Sequence, residues 1–99
     1  MIAYATTRHA AVAMTRQMAA DCGHENNALC PGFIDTPFNA GFERQMRGRV
    51  GLQRDIAEAI PMRRFGTVEE IAEALVYLAS DRSAFMTGHA LAIDGGECL

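Results

Sequence analysis

The chain has 99 residues, enough for one small domain and too few for a second hydrophobic core. Its 49% hydrophobic and 21% charged residues exclude the composition of a disordered segment, so we expect a folded body. The formal net charge is −3 and the nine Lys and Arg residues are scattered, which excludes the basic face that a nucleic-acid partner requires.

No apolar run is long enough to cross a bilayer, and no basic region followed by an apolar stretch opens the chain. The sequence therefore predicts no membrane partner and a cytoplasmic location. The three cysteines and three histidines have no metal-ligand spacing, so no metal site is expected.

The first predicted element is a helix from Tyr4 to Cys22, a segment rich in the good helix formers Ala, Met, Gln and Arg. Its apolar side chains recur at steps of three and four on one face, at Ala11, Met14, Met18 and Cys22. Gly23 follows as the C-cap, because glycine adopts the left-handed conformation without penalty.

Two short strands are predicted. Asn27–Cys30 stops at the breaker formed by Pro31 and Gly32, and His89–Ile93 is closed by Asp94 and two glycines. Two strands joined through helices indicate a right-handed βαβ unit with parallel strands. Such a sheet is normally buried on both faces, so part of it is expected to be missing from this chain.

Residues 39–60 carry a broken helical pattern with two apolar stripes. The stripes are Phe42, Met46 and Val50, then Leu52, Ile56 and Ile60. Gly48 and Gly51 interrupt between them, and each interior glycine weakens a helix by roughly 1 kcal/mol. Two short helices, ended by Pro61, are therefore predicted.

The most distinct helix begins with a capping box at Thr67 and Glu70, in which each residue's side chain accepts from the other's backbone N–H. An apolar stripe follows to about Ser80, at Ile71, Ala74, Leu75 and Leu78. The expected fold class is α/β: a partial Rossmann-like fragment, mostly helical, with about four helices and two short parallel strands.

Several segments carry a resemblance when they are read together. They are YATTRHAAV from Tyr4, NALCPGFIDTP from Asn27, PMRRFGT from Pro61, EEIA from Glu69, LASD from Leu78, Thr87–Gly88 and Asp94–Gly96. In this order and at these separations they resemble the C-terminal part of a classical short-chain dehydrogenase/reductase, and they cover nearly the whole chain.

The resemblance implies a single domain over residues 1–99, truncated before the Tyr-x-x-x-Lys motif. Its parts would be a tyrosine-bearing helix (1–23), a strand and nicotinamide loop (26–38), substrate-loop helices (39–61), a helix (67–81) and the last strand (89–93).

The resemblance implies that Tyr4 and Arg8 are catalytic. In the family the tyrosine is the general acid/base for the substrate carbonyl oxygen, and a lysine one turn later supports it, because a phenol with an ordinary pKa of about 10 needs a nearby cation. Arg8 stands at the lysine position. A guanidinium is planar and bulkier than an ammonium, so impaired catalysis is expected. The pair also suits an ordinary exposed start of a helix.

The resemblance further implies that the segment from Pro31 to Thr36 is a cofactor-binding loop along the nicotinamide. Pro31 and Gly32 open the loop, the backbone of Ile34 would meet the carboxamide, and the Thr36 hydroxyl would hold the carboxamide or the pyrophosphate. The alternative is a plain loop after a strand, in which Thr36 and Pro37 open the next helix.

The family's dinucleotide-binding features have no counterpart in this sequence. No G-x-x-x-G-x-G turn occurs among its nine glycines, and the Asn-Ala-Gly turn and carbonyl-polarising serine that precede the tyrosine are also absent. NAD or NADP is the cofactor that the resemblance implies, and none is expected to be bound by this chain alone.

Three functional hypotheses follow. The chain is part of an NAD(P)-dependent oxidoreductase that acts on a carbonyl or alcohol, inactive alone and completed by a missing N-terminal half or a second chain. Alternatively, it is a non-catalytic helical interaction module that self-associates as a homo-oligomer, with a dimer expected first, because exposed apolar stripes mark interfaces. A marginal fold without a selected role is the third.

Overall fold

A computed structural model describes residues 2–45 and 48–99, which contain four α-helices and two β-strands. The elements are α1 (Ile2–Cys22), β1 (Ala28–Pro31), α2 (Ala40–Gln45), α3 (Gly48–Ala59), α4 (Val68–Leu78) and β2 (Ala90–Ile93). Short 3-10 helices lie at Pro37–Asn39 and Asp81–Ser83. The α/β class, mostly helical with two strands, is confirmed.

Residue contacts divide the chain into two compact units, which are described separately. The first unit comprises Met1–Cys30 with Ala74–Leu91, and the second comprises Pro31–Glu73 with Ala92–Leu99. The single domain over residues 1–99 stays a prediction.

In the first unit, the predicted first helix is confirmed as α1. It begins two residues earlier than predicted, at Ile2, and ends at Cys22; Gly23 follows with a φ of +63°, the left-handed conformation expected of the C-cap. The predicted apolar stripe is exposed, since Met14 and Met18 have 60% and 43% of their surface accessible. The partly covered face carries Val12, Thr15 and Ala19 instead.

The strands are parallel, as predicted. In the first unit the Ala28 N–H donates to the His89 carbonyl at 2.8 Å, and in the second the Gly32 N–H donates to the Ile93 carbonyl at 3.0 Å. Both strands therefore run in the same direction. β1 begins and ends one residue later than predicted, so that Pro31 is its last residue, and β2 begins one residue later than predicted.

The Asn27 side chain forms hydrogen bonds with the segment that precedes β2. Its Nδ2 donates to the Met86 carbonyl at 2.7 Å, and its Oδ1 accepts from the His89 N–H at 3.1 Å. The segment before β1 is also held, since Thr87 Oγ1 donates to the His24 carbonyl at 2.5 Å. These side-chain bonds thus add to the backbone bond from the Gly88 N–H to the Asn26 carbonyl, at 2.7 Å, in a segment too polar for a regular strand.

The second unit packs around Ile56 and Ile60, which are 8% and 2% exposed. Phe33 and Phe65 pack against them, with ring centroids 6.2 Å apart. Two helices, α2 and α3, lie in the 39–60 segment as predicted, but Gly48 and Gly51 do not interrupt between them, since both lie within α3. Val50 was predicted in an apolar stripe, but its side chain is not buried, since Val50 is 80% exposed. Met46 lies outside the described residues, as do the side chains of Phe42 and Leu52.

The helices of the described chain include none with the length and hydropathy that a membrane span requires.

Candidate active site

The predicted catalytic pair lies in the first unit, on the first turns of α1. The spacing of four residues brings the side chains together as expected: the Arg8 Cζ atom lies 5.0 Å from the centroid of the Tyr4 ring. This is a cation–π contact with the ring face. Tyr4 is 53% exposed, and its hydroxyl has no hydrogen-bond partner among the described residues.

The predicted cofactor-binding residues lie in the second unit. Pro31 is the last residue of β1 and Gly32 follows it, and Ile34 forms an isolated parallel bridge with Gly66. The bridge consists of two bonds of 2.9 Å, from the Gly66 N–H to the Phe33 carbonyl and from the Asp35 N–H to the Gly66 carbonyl. The backbone around Ile34 is therefore fixed from both sides.

Two donors in this loop remain unused by the described residues. The Ile34 N–H takes no part in its bridge, although the Ile34 carbonyl accepts from Asn39 Nδ2 at 2.7 Å. Thr36 precedes the 3-10 helix in an extended conformation (φ −141°, ψ 159°), and its hydroxyl makes no capping bond. The Gly32 N–H, in contrast, already donates to the Ile93 carbonyl of β2.

Gly32 has a steric reason to be glycine. A Cβ atom there would lie 2.7 Å from the Cα and Cβ atoms of Asp94. Asp94 in turn accepts from the Gly96 N–H at 2.9 Å and the Cys98 N–H at 3.2 Å. These contacts, with the Gly96 bond foremost, lower the pKa of Asp94.

The turn before α4 is clamped by Glu70. Its carboxylate accepts from Arg64 Nη2 at 2.6 Å, from Arg64 Nη1 at 2.9 Å and from the Thr67 N–H at 2.8 Å. The Glu70 N–H donates to Thr67 Oγ1 at 3.2 Å, so the predicted capping box is confirmed. The Arg64 hydrogen bonds, followed by the Thr67 N–H, lower the pKa of Glu70 to about 2. The same pair raises the pKa of Arg64.

Sequence reasoning missed Arg64, Asn39 and Asn27 as contact residues. Asn39 is only 7% exposed, yet a single buried amide has no signature in a sequence. The arginine at position 64, three residues before the capping threonine, could have suggested a partner for Glu70, since both lie near the same helix start.

An open cavity of about 350 Å³ lies beside the bridge in the second unit. It is lined by Asp35, Gln53, Arg63, Arg64, Phe65, Gly66 and Thr67. Neither Ile34 nor Thr36 lines it, so the cavity does not support the assignment of the nicotinamide loop. No group of three His, Cys, Asp or Glu side chains comes together in the part of the chain that the structure describes.

Comparisons with known proteins agree with this fold. The sequence profile of the family described as enoyl-(acyl carrier protein) reductase matches residues 1–97. The 2-(S)-hydroxypropyl-CoM dehydrogenase 3 of Xanthobacter autotrophicus is 44% identical to this chain, and the match covers 97% of the chain and 39% of that protein. The oxidoreductase UcpA of Escherichia coli is 39% identical, with 98% of the chain and 39% of that protein covered.

Solved structures match in the same way. The ligand-free aldohexose dehydrogenase of Thermoplasma acidophilum gives a TM-score of 0.86 at 33% identity, covering 96% of this chain and 40% of that one. A gluconate 5-dehydrogenase from Burkholderia cenocepacia, in complex with NADP and tartrate, gives 0.82 at 32% identity, covering 95% and 36%.

The chain belongs to the short-chain dehydrogenase/reductase family of oxidoreductases. Its Rossmann-like fold is confirmed by these neighbours. The chain spans about 39% of the length of the curated relatives it matches.

Proposed function

We propose that this chain is the proton-transfer and nicotinamide-side part of an NAD(P)-dependent oxidoreductase that interconverts a carbonyl and an alcohol. The observation that carries the proposal is the Tyr4–Arg8 pair, in a chain of this family. Tyr4 exchanges a proton between its hydroxyl and the substrate oxygen. That hydroxyl is accessible and has no partner among the described residues.

Arg8 is the supporting cation, at the place of the family's lysine. Its guanidinium lies over the ring face of Tyr4. Since a guanidinium differs from an ammonium in shape and hydration, it supports the tyrosine less effectively than lysine would.

The unused donors of the Ile34–Thr36 loop fit a nicotinamide nucleotide, whose carboxamide and phosphate oxygens are acceptors. The Ile34 N–H would hold the carboxamide, and the Thr36 hydroxyl would hold the carboxamide or the pyrophosphate. When bound, the reduced nucleotide would supply the hydride to a carbonyl, and the oxidised nucleotide would accept it from an alcohol. A NADP-bound relative of known structure supports this assignment of cofactor class.

These residues alone do not bind the dinucleotide productively, because no glycine-rich turn is present to receive the pyrophosphate. An N-terminal half, on a longer form of the chain or on a second chain, completes the site. Calorimetric titration of the chain alone with NADH and NADPH should give no saturable heat. Saturable binding would contradict this part of the proposal.

The catalytic assignment is tested in a chimera. This chain replaces the matching 39% of the Xanthobacter dehydrogenase, with which it shares 44% identity. We expect NAD(P)-dependent turnover that Tyr4→Phe abolishes and Arg8→Lys increases. Tyr77→Phe is the matched control, since Tyr77 also stacks with an arginine, Arg82, at 6.0 Å. Turnover that survives Tyr4→Phe would refute the role of Tyr4.

A second function is supported by the exposed apolar side chains of α1. None of its residues is buried, although it is 21 residues long. Exposed apolar surface of this extent favours a self-associating, non-catalytic module that forms a dimer. Light scattering tests this: Met14→Glu with Met18→Glu should shift a dimer to the monomer, and Ala20→Glu on another face of α1 should not. A monomeric starting protein would refute it.

A further inference from the structure

The carboxylate of Glu70 connects the start of α4 to the turn that precedes it. Two of its three donors belong to the Arg64 guanidinium and the third is the Thr67 N–H, all within 2.9 Å. Arg64 Nη1 also donates to the Phe65 carbonyl at 3.0 Å. Glu70 therefore bonds the Thr67 backbone directly and the Phe65 backbone through the Arg64 side chain, and these two residues flank Gly66.

That short backbone segment carries Gly66, which is the bridge partner of Ile34. The Gly66 N–H and carbonyl bond Phe33 and Asp35, the two neighbours of Ile34, at 2.9 Å each. The contact is close, because a Cβ atom at Gly66 would lie 2.7 Å from Ile34 Cδ1. A displacement of Gly66 would therefore move the backbone of Ile34.

We propose that Glu70 is a positioning residue for the Ile34–Thr36 loop, and that it acts through Arg64 and Gly66 to aim the Ile34 N–H and the Thr36 hydroxyl. The inference rests on the proposed function for the role of those two donors. Its structural content, a mechanical connection from Glu70 to the Ile34 bridge, is independent of cofactor binding.

Amide hydrogen exchange, followed by NMR on the chain alone, tests the connection. The reporters are the amides of Gly66 and Asp35, which form the bridge, and the reference is the Gly32 amide, which bonds Ile93 in the same unit. In Glu70→Gln we expect the two bridge amides to exchange roughly three- to tenfold faster, with the reference unchanged, because only the local opening becomes easier.

Two further variants make the result decisive. Glu69→Gln removes the same charge from the same first turn of α4, and should leave all three amides unchanged. Arg64→Gln removes the connection to the turn while the Thr67 cap remains, and should make the two bridge amides exchange faster, as Glu70→Gln does. If Glu70→Gln does not fold, Arg64→Gln alone tests the connection.

Equal acceleration of all three amides would show a loss of general stability and would overturn the proposal. So would bridge amides that exchange no faster than in Glu69→Gln. An absence of hydride transfer in the chimera bears on the proposed function alone, because the exchange measurement needs neither cofactor nor substrate.

Discussion

Gly32 and Asp94 approach each other so closely that a Cβ atom on Gly32 would lie 2.7 Å from the Asp94 Cα atom. The approach is fixed on one side by the bond from the Gly32 N–H to the Ile93 carbonyl. On the other side, the Asp94 carboxylate is held by the backbone N–H groups of Gly96 and Cys98. The position directly after β1 therefore requires a residue without a side chain.

Gly32→Ala should lower the free energy of unfolding by about 1–3 kcal/mol, because the added methyl group overlaps backbone atoms that cannot move aside cheaply. Urea denaturation measures the change. Gly41→Ala is the control, since a Cβ at Gly41 meets nothing within 4 Å and a helical alanine is favoured over glycine. Equal stability of Gly32→Ala and the native chain would contradict the close approach.

The stability of the chain should depend on the ionisation of Glu70. Its pKa is lowered from an ordinary value of 4.5 to about 2, chiefly by the Arg64 hydrogen bonds. A lowered folded-state pKa contributes stability that is complete above about 4.5 and is lost as the pH falls from there toward 2. The urea midpoint should therefore fall over this range.

Glu70→Gln should flatten this dependence, and Glu69→Gln should not. A residual slope is expected in Glu70→Gln, because the pKa of Asp94 is also lowered and acts in the same direction. Identical pH profiles for Glu70→Gln and Glu69→Gln would refute the role of the Arg64 contact.

Thr67→Ala should destabilise the chain by about 1 kcal/mol, because the Glu70 N–H loses its side-chain acceptor at the start of α4. Thr67→Ser keeps a hydroxyl and should lose little. Thr7→Ala in α1 provides the contrast: within the described part of the chain, the Thr7 hydroxyl donates only to the Tyr4 carbonyl of the same helix. Thermal unfolding followed by circular dichroism measures all three, and a Thr67→Ala variant as stable as Thr7→Ala would contradict the cap.

Asn27→Ala should cost roughly 1–3 kcal/mol, because it leaves the Met86 carbonyl and the His89 N–H without their partner. Asn27→Asp should also destabilise, since a carboxylate cannot donate to the Met86 carbonyl. Asn26→Ala is the matched control, because among the described residues the Asn26 side chain donates only to the nearby His24 carbonyl. Comparable losses in Asn26→Ala and Asn27→Ala, measured by urea denaturation, would refute the special role of Asn27.

Part of the candidate site followed from local spacing. Tyr4 and Arg8 were expected on one helical face, and they are in contact there. The loop from Pro31 to Thr36 was expected after a strand, and it is there. The bridge that holds Ile34 was not foreseen, because Gly66 is 32 residues away along the chain and no periodicity connects the two. The roles of these residues stay predictions.

The sequence by itself determined the features whose signals act within a few residues: α1 with Gly23 as its C-cap, and the capping box of Thr67 and Glu70. These features depend on backbone propensity and on hydrogen bonds between near neighbours. The tertiary structure alone decided which apolar face of α1 stays exposed, how Asn27 joins Met86 to His89, and why Gly32 must lack a side chain. The contacts of Asn27 and Gly32 join residues more than fifty positions apart along the chain, and the exposure of α1 depends on which elements pack against it. A local sequence pattern contains neither kind of information.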